Sequence, residues 1–159
     1  MALDSIDYRI LDILQSDGKI TNAELASRVG LTPAPTLARV SKLESMGLIM
    51  GYAAELNREM LGYSVIAFVA VIMKEHGGPA TAKFLERVAE LPEVLECHHI
   101  AGEEDYLLKV VASSPRSYEQ FLLEKLILLD SVQRVKTSFV LSSPKMTNRI
   151  PVQFPQEAT

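Results

Sequence analysis

The segment from residue 22 to residue 44 constrains the fold more than any other part of the chain. Its first eight residues have the spacing of a short amphipathic helix, with Leu25 and Val29 on one face. Gly30 follows where a helix end favours a left-handed residue, and Pro33 opens a second predicted helix. Two helices across a tight glycine-containing turn form a helix-turn-helix, whose second helix can enter the DNA major groove. DNA binding is therefore the first hypothesis, and an ordinary helical hairpin is the alternative.

Cap residues flank these predicted helices. Thr21 and Glu24 fit a capping box, in which each side chain satisfies a backbone donor near the other, and Thr32 can cap the second helix. An earlier helix is predicted over Ser5–Gln15, with Asp4 or Ser5 as its cap. The sequence therefore predicts a three-helix unit near the start of the chain.

Charge argues against a simple DNA-binding surface. The formal net charge of the chain is −4. Residues 1–60 hold six basic and eight acidic side chains, which gives a net charge of −2. Because phosphate contacts dominate DNA affinity, the few cations must be focused on one face, or several copies must bind together, if the hypothesis is right.

The second half of the chain predicts alternating strands and helices. The predicted elements are a strand over 64–74, a helix over 80–91, strands over 94–101 and 106–112, a helix over 116–129 and a strand over 132–142. This order is the ferredoxin-like βαββαβ arrangement. The predicted class is thus α+β, with a helix-turn-helix domain with a connecting strand over 1–60, a βαββαβ domain over 61–148 and a tail over 149–159.

Several classes of protein are not favoured. No apolar run approaches the roughly 18 residues of a membrane helix, and no signal pattern or disulfide partner for Cys97 is present, so we expect a cytoplasmic protein. His98 and His99 are adjacent strand residues that point to opposite faces, so we expect no metal site there, and we expect Cys97 to be a small buried residue. No nucleotide-binding or nucleophile motif occurs, so neither a cofactor nor an enzyme activity is predicted.

The chain resembles the Lrp/AsnC, or feast/famine, transcription regulators over residues 3–148. The motifs that carry this resemblance are Leu3-Asp4-Ser5-Ile6-Asp7, Gly30-Leu31-Thr32-Pro33 followed by Arg39-Val40 and Leu43-Glu44, Gly47-Leu48-Ile49, Val94-Leu95-Glu96-Cys97, Asp105-Tyr106-Leu107-Leu108-Lys109-Val110 and Thr137-Ser138-Phe139-Val140-Leu141-Ser142. The resemblance implies a winged helix-turn-helix, double-stranded DNA as partner, and dimers that assemble into tetramers or octamers.

The resemblance also implies that the helix over 32–46 faces DNA. On a helical wheel Leu37, Val40 and Leu43 form the inner stripe. The candidate DNA-binding residues are Thr32, Ala34, Pro35, Thr36, Ala38, Arg39 and Lys42. Arg39 and Lys42 are the best candidates for contact with phosphate or guanine. The alternatives are solvated helix charges and, for Arg39, a salt bridge to an acid of the first helix.

Two alanines on this helix predict modest readout of base identity. Relatives often carry Ser at the position of Ala34, and a basic residue at those of Ala38 and Ser41. Alanine can touch a thymine methyl but cannot form a hydrogen bond to a base. We therefore expect the choice of DNA site to depend on DNA shape, and the affinity to depend on several helix-turn-helix units in one assembly.

The turn between the second and third strands is the expected effector site. In the family a small molecule, usually an amino acid, binds near this loop between dimers. Asp105 can receive an α-ammonium group, and free N–H groups of the turn can hold an α-carboxylate. The candidate residues are His98, Gly102, Glu104, Asp105, Tyr106 and Ser138. The alternative is an acidic hairpin turn in which Gly102 simply accommodates a positive φ.

The leading hypothesis is an oligomeric DNA-binding transcriptional regulator that responds to an amino acid. The apolar strands of the second half of the chain need cover on both faces, so two copies of the chain are expected to pack sheet to sheet. One alternative is an architectural chromosome protein that binds DNA broadly without an effector. The other is an enzyme of ferredoxin-like fold, against which the missing catalytic residues argue.

Overall fold

A computed structural model describes residues 3–75 and 77–152, which fall into two compact units. We call residues 3–55 together with 145–152 the reader unit, and residues 56–144 the sheet unit. The part of the predicted tail beyond residue 152 lies outside the described residues. Within the described ranges, no helix is both long and apolar enough to cross a bilayer.

The reader unit contains the three predicted helices. They are α1 (Ser5–Ser16), α2 (Asn22–Val29) and α3 (Pro33–Ser45). Asp4 is the cap of α1, because its carboxylate accepts hydrogen bonds from the N–H groups of Ile6 and Asp7. The core of the unit is formed by residues of all three helices, among them Ile10, Leu25 and Leu43. Residues 48–56, for which the connecting strand was predicted, form neither helix nor strand.

After the sheet unit, the chain returns to the reader unit. The sequence predicted only a tail for this part of the chain. Gln15 on α1 donates from Nε2 to the carbonyl of Ile150 (3.1 Å) and accepts at Oε1 from its N–H (2.6 Å). Arg149 forms an ion pair with Asp12 at 3.0 Å. We call residues 145–152 the C-terminal strap, because they lie along α1 instead of extending freely.

The sheet unit has the predicted βαββαβ order. Its elements are β1 (Val65–Met73), α4 (Gly78–Ala89), β2 (Val94–His99), β3 (Tyr106–Ala112), α5 (Pro115–Phe121) and β4 (Val132–Phe139). The strands form one antiparallel sheet in the order β2-β3-β1-β4. The predicted helix over 116–129 is shorter than expected, because a π-helical turn over Leu122–Leu126 follows α5.

The two faces of the sheet differ in cover. α4 and α5 pack on one face, where Val69 and Leu108 meet Phe84 and Phe121 in the core. We call the opposite face, on which neither α4 nor α5 packs, the open face. It is formed by Ile66, Phe68, Ala70 and Ile72 of β1, Glu96 and His98 of β2, Leu107, Lys109 and Val111 of β3, and Arg134, Lys136 and Ser138 of β4. Phe68 is 37% exposed there, whereas Ile66 is buried, so the cover expected from a second copy stays a prediction.

Candidate nucleic-acid interface and ligand loop

The turn between α2 and α3 is fixed by backbone and side-chain hydrogen bonds. Gly30 ends α2 in the left-handed conformation, with φ of 76°, and the next N–H returns to the Ala26 carbonyl (2.9 Å). The Asn22 amide then donates to the carbonyl of Pro33 across the turn (2.8 Å). These bonds hold the start of α3 beside the start of α2, as a helix-turn-helix requires.

The caps of these helices differ in part from the prediction. Thr21 accepts a hydrogen bond from the N–H of Glu24 at 3.2 Å, which is half of the predicted capping box. Thr32 forms no side-chain cap on α3. Instead, its carbonyl accepts a hydrogen bond from the hydroxyl of Thr36 (2.9 Å).

The inner stripe of α3 is not the predicted one. Thr36 is fully buried, whereas Leu37 is 56% exposed. The observed stripe is Thr36, Val40 and Leu43, so two of the three predicted residues are correct and Thr36 takes the place of Leu37. The hydroxyl of Thr36 can be buried because it bonds to a carbonyl of its own helix. Its side chain therefore cannot reach DNA, and Thr36 is removed from the candidate DNA-binding residues.

The outer surface of α3 carries no basic side chain that is fully exposed. Four of the predicted DNA-binding residues lie on it: Thr32, Ala34, Pro35 and Ala38. Ser41, Glu44 and Ser45 continue the same surface. This surface can make apolar and hydroxyl contacts with base edges, but it brings little positive charge to phosphate.

Arg39 and Lys42, the two cations of α3, are held by acids of the first helix and its cap. Arg39 Nη1 lies 2.7 Å from Asp7 Oδ1 and 2.8 Å from Asp4 Oδ2. Lys42 Nζ lies 3.3 Å from Asp7 Oδ2. The salt bridge that was the alternative for Arg39 is therefore present, and it extends to Lys42. We call Asp4, Asp7, Arg39 and Lys42 the acid–base cluster.

The acid–base cluster is buried at one end and open at the other. The side chain of Asp7 is 1% exposed, whereas that of Asp4 is 51% exposed. Burial acts to raise the pKa of Asp7, but hydrogen bonds from Arg39, the Asp4 N–H and Lys42 outweigh it and hold that pKa below its ordinary value. Asp7 is therefore ionised at neutral pH, and the four charges of the cluster cancel.

The predicted ligand loop connects β2 to β3 at residues 100–105. Gly102 has a φ of +153°, and a Cβ placed there would meet no atom within 4 Å. Along the described chain, the N–H groups of residues 101–104 have no hydrogen-bond partner. Such a turn offers backbone donors to an anionic group, and its binding of an α-carboxylate stays a prediction.

Asp105 holds this loop to the end of β1. Its Oδ2 accepts a hydrogen bond from the N–H of Met73 (2.8 Å), and its own N–H donates to the carbonyl of Val71 (2.9 Å). The Asp105 carbonyl accepts from the N–H of Ile100 (3.0 Å). Its carboxylate therefore positions the loop, and its contact with an α-ammonium group stays a prediction.

The remaining predicted ligand residues do not converge within one chain. Tyr106 is buried on the helix-covered face, where its ring lies 5.0 Å from that of Phe84 and 5.1 Å from that of His99. His98 and Ser138 lie on the open face, but on the two edge strands of the sheet. Three strand spacings separate them by about 14 Å, too far for both to contact one amino acid.

Lys136 is a candidate that the sequence did not reveal. Its Nζ lies 3.9 Å from the carboxylate of Glu104, and its side chain is 74% exposed. Residues 104 and 136 are distant in sequence, and only the strand order places the ligand loop near β4. The loop thus has an acid and a base beside its unpaired N–H groups.

The region of Cys97 lies on the exposed edge strand β2. Cys97 is exposed, contrary to the prediction that it is buried. His98 Nε2 lies 3.1 Å from Glu96 Oε2, on the exposed edge strand β2. Among the described residues, no group of three or more potential ligands is placed to hold a metal ion.

Family models match both parts of the chain. A model described as winged helix-turn-helix DNA-binding matches residues 3–50, and one described as the Lrp/AsnC ligand binding domain matches residues 66–150. A leucine-responsive regulatory protein of Rhizobium meliloti (strain 1021) is 43% identical over 143 residues, which cover 90% of this chain and 92% of that protein.

Solved structures with the same fold include two complexes with methionine. A transcriptional regulator of Neisseria meningitidis in complex with L-Met has a TM-score of 0.91 and 37% identity, covering 94% of this chain and 97% of that one. A feast or famine regulatory protein of M. tuberculosis complexed with L-methionine has a TM-score of 0.86 and 34% identity, covering 96% and 100%.

Proposed function

Because the chain belongs to the Lrp/AsnC family of DNA-binding transcriptional regulators, we propose that an amino acid bound at the loop over 100–105 modulates its assembly or its DNA affinity. The observation that carries this proposal is the row of unpaired N–H groups at residues 101–104, flanked by Glu104 and Lys136. The methionine complexes of two similar proteins support this class of ligand. The protein acts in the cytoplasm, where its DNA is found.

The proposed amino-acid site uses the two charges of a zwitterion. The loop N–H groups and the ammonium of Lys136 receive the α-carboxylate, and the carboxylate of Glu104 receives the α-ammonium group. Gly102 leaves open space beside the backbone for the ligand. Asp105 keeps the loop in this conformation through its bond to Met73.

The proposed DNA contact surface is the outer surface of α3. Thr32, Ala34, Pro35 and Ala38 approach the base edges, while Arg39 and Lys42 lie at its flank. Apolar and hydroxyl side chains give limited discrimination between base pairs, so DNA shape contributes to site choice.

The functional protein is proposed to be a homo-oligomer built on the open face of the sheet. Phe68 is partly exposed there beside the cations of β4, and a second sheet would remove it from water. A two-fold dimer would present two readers to a palindromic DNA site. Tetramers or octamers would then multiply the number of weak readers on one DNA molecule.

A thermal-shift screen tests the proposed ligand site. Methionine and the other standard amino acids are added to the full-length protein, and a ligand at a hundred times its Kd adds about 2.7 kcal/mol of stability. Glu104→Ala should abolish the shift, whereas Glu103→Ala, in the same turn, should retain it. A screen in which no amino acid shifts the melting temperature would refute the proposal, as would equal losses in the two variants.

A second candidate function is an architectural DNA-binding protein that needs no effector. The apolar and hydroxyl surface of α3 favours it, because such a surface discriminates little between sequences. Affinities for a promoter duplex and for a random duplex separate the two functions. A ratio near one supports the architectural role, and a large ratio supports the regulator.

A further inference from the structure

The two cations of α3 share one buried carboxylate. Arg39 donates to Oδ1 of Asp7 and Lys42 donates to Oδ2, so both oxygens are occupied from the same helix. Because Asp7 is 1% exposed, water cannot replace these donors if they turn away. Moving either cation to a DNA phosphate would leave a buried charge short of a partner, which is strongly unfavourable.

Asp4 adds a second anion at the surface of the same cluster. Its Oδ1 caps α1, and its Oδ2 contacts Arg39. Two acids therefore face two bases, and the cluster carries no net charge toward DNA. The release of counterions from DNA depends on cations that neutralise phosphates, so a neutral cluster contributes little to it.

We propose that Asp4 and Asp7 are positioning residues that restrain Arg39 and Lys42 from DNA phosphates and thereby set a low DNA affinity for each reader. The inference rests on the proposed DNA contact surface of α3. The residues that limit DNA affinity in this proposal thus lie in α1 and its cap, and not on α3. An assembly with several readers would then be required for tight binding, because no single reader neutralises many phosphates.

Salt dependence of DNA binding measures this restraint directly. The full-length protein is titrated onto a random-sequence duplex between about 50 and 200 mM salt, with Asp7→Asn and Asp4→Asn as test variants. Each variant leaves one positive charge uncompensated, so the slope of log Kobs against log salt should steepen by about 0.9 per bound chain. The affinity advantage of the variant over the wild type should fall about 3.5-fold across this salt range for each reader engaged.

Asp12→Asn is the matched control. It removes the same charge from the same helix and frees Arg149, but its partner lies on the C-terminal strap and not on α3. Its slope should equal that of the wild type. A destabilised variant would bind less at every salt concentration without a steeper slope, so the readout separates restraint from a purely structural role.

Each outcome decides the inference. A steeper slope for the Asp4 and Asp7 variants, with an unchanged Asp12 variant, supports it. An equal change in all three variants would show an effect of net charge, and no change would show that the cations are not restrained; either result overturns the inference. If Asp7→Asn does not fold, Asp4→Asn decides alone, since asparagine is an equally good helix cap. If the wild type binds no DNA, the proposed contact surface fails as well.

Discussion

The recognition helix α3 and strand β4 of the open face carry cations in opposite ways. On α3, Arg39 and Lys42 are tied to acids of the same unit. On the open face, Lys136 is largely exposed and reaches an acid only at 3.9 Å. The surface that looks more basic is thus not the one that the helix-turn-helix presents to DNA. Positive charge alone would therefore not select α3, the proposed DNA contact surface.

This difference in ion pairing follows from the structural role of each surface. The reader unit is small, and its cluster contributes to holding α3 against α1 through a buried carboxylate. On the open face Lys109 is also paired, with Glu96 at 2.7 Å, but Arg134 and Lys136 of β4 are exposed. The cations of α3 are therefore tied to acids of their own unit, whereas those of β4 remain at the surface.

The largest expected effect is on the stability of the reader unit. Arg39→Ala leaves Asp7 with Lys42 as its only basic partner among the described residues, and should cost roughly 2–3 kcal/mol, reduced from a fully buried pair because Arg39 is partly exposed. Urea unfolding measures the loss. Arg28→Ala breaks only an exposed i,i+4 pair with Glu24 and should cost roughly 0.3–0.5 kcal/mol. Equal losses in the two variants would mean that the cluster is not structural.

Acid should weaken the reader unit through the same cluster. The pKa of Asp7 is lower in the folded protein than the ordinary 3.8, so its contribution to the free energy of unfolding is present above about pH 4 and is lost as pH falls through the folded value. Unfolding followed from pH 7 to acid should show this decline. Asp7→Asn should flatten it, and a wild-type profile retained by the variant would assign the decline to other groups.

Removal of the C-terminal strap should have a smaller effect. A chain that ends at Pro144 loses the paired hydrogen bonds of Gln15 and the Arg149–Asp12 ion pair, all exposed, so the reader unit should lose about 1 kcal/mol. Gln15→Ala should lower the stability of the full chain but not that of the shortened chain. Equal effects of this substitution in both chains would show that the strap does not bind α1.

The smallest expected effect is on the salt dependence of DNA binding when a cation of the open face is removed. Arg134→Ala removes a cation of β4 but should leave the salt slope of DNA binding unchanged, because α3, and not the sheet, is the proposed DNA contact surface. Titration of a random duplex gives the slope. A slope reduced by about one would place a phosphate contact on β4 and reverse the comparison between the two surfaces.

Local signals in the sequence predicted the order of elements and the end of α2 well. Gly30 and Pro33 mark that end and the next start, and the structure places α2 and α3 accordingly. The inner face of α3 was predicted less well, because a hydroxyl residue, Thr36, occupies a core position that hydrophobic patterns assign to Leu37. Its hydrogen bond within the helix explains the burial and leaves no separate signal in the sequence.

Contacts between distant residues limited the prediction of both sites. The pairing of Arg39 with an acid of the first helix was available as an alternative, because both belong to one small unit. The approach of Glu104 to Lys136 depends on strand order, and no local pattern encodes it. The separation of His98 from Ser138 has the same origin, since a sequence does not state which strands form the edges.

The C-terminal strap can form only late in synthesis, because its residues are translated long after α1. Gln15 and Ile150 are separated by 135 positions, so α1 leaves the ribosome long before its strap partner exists. At about 5–20 residues per second, this interval lasts roughly 7–27 s. During that time the three helices must rely on their own core, and the strap forms only after residues 145–152 have been translated. A prematurely terminated product would therefore carry the helices of the reader unit without the strap that completes it.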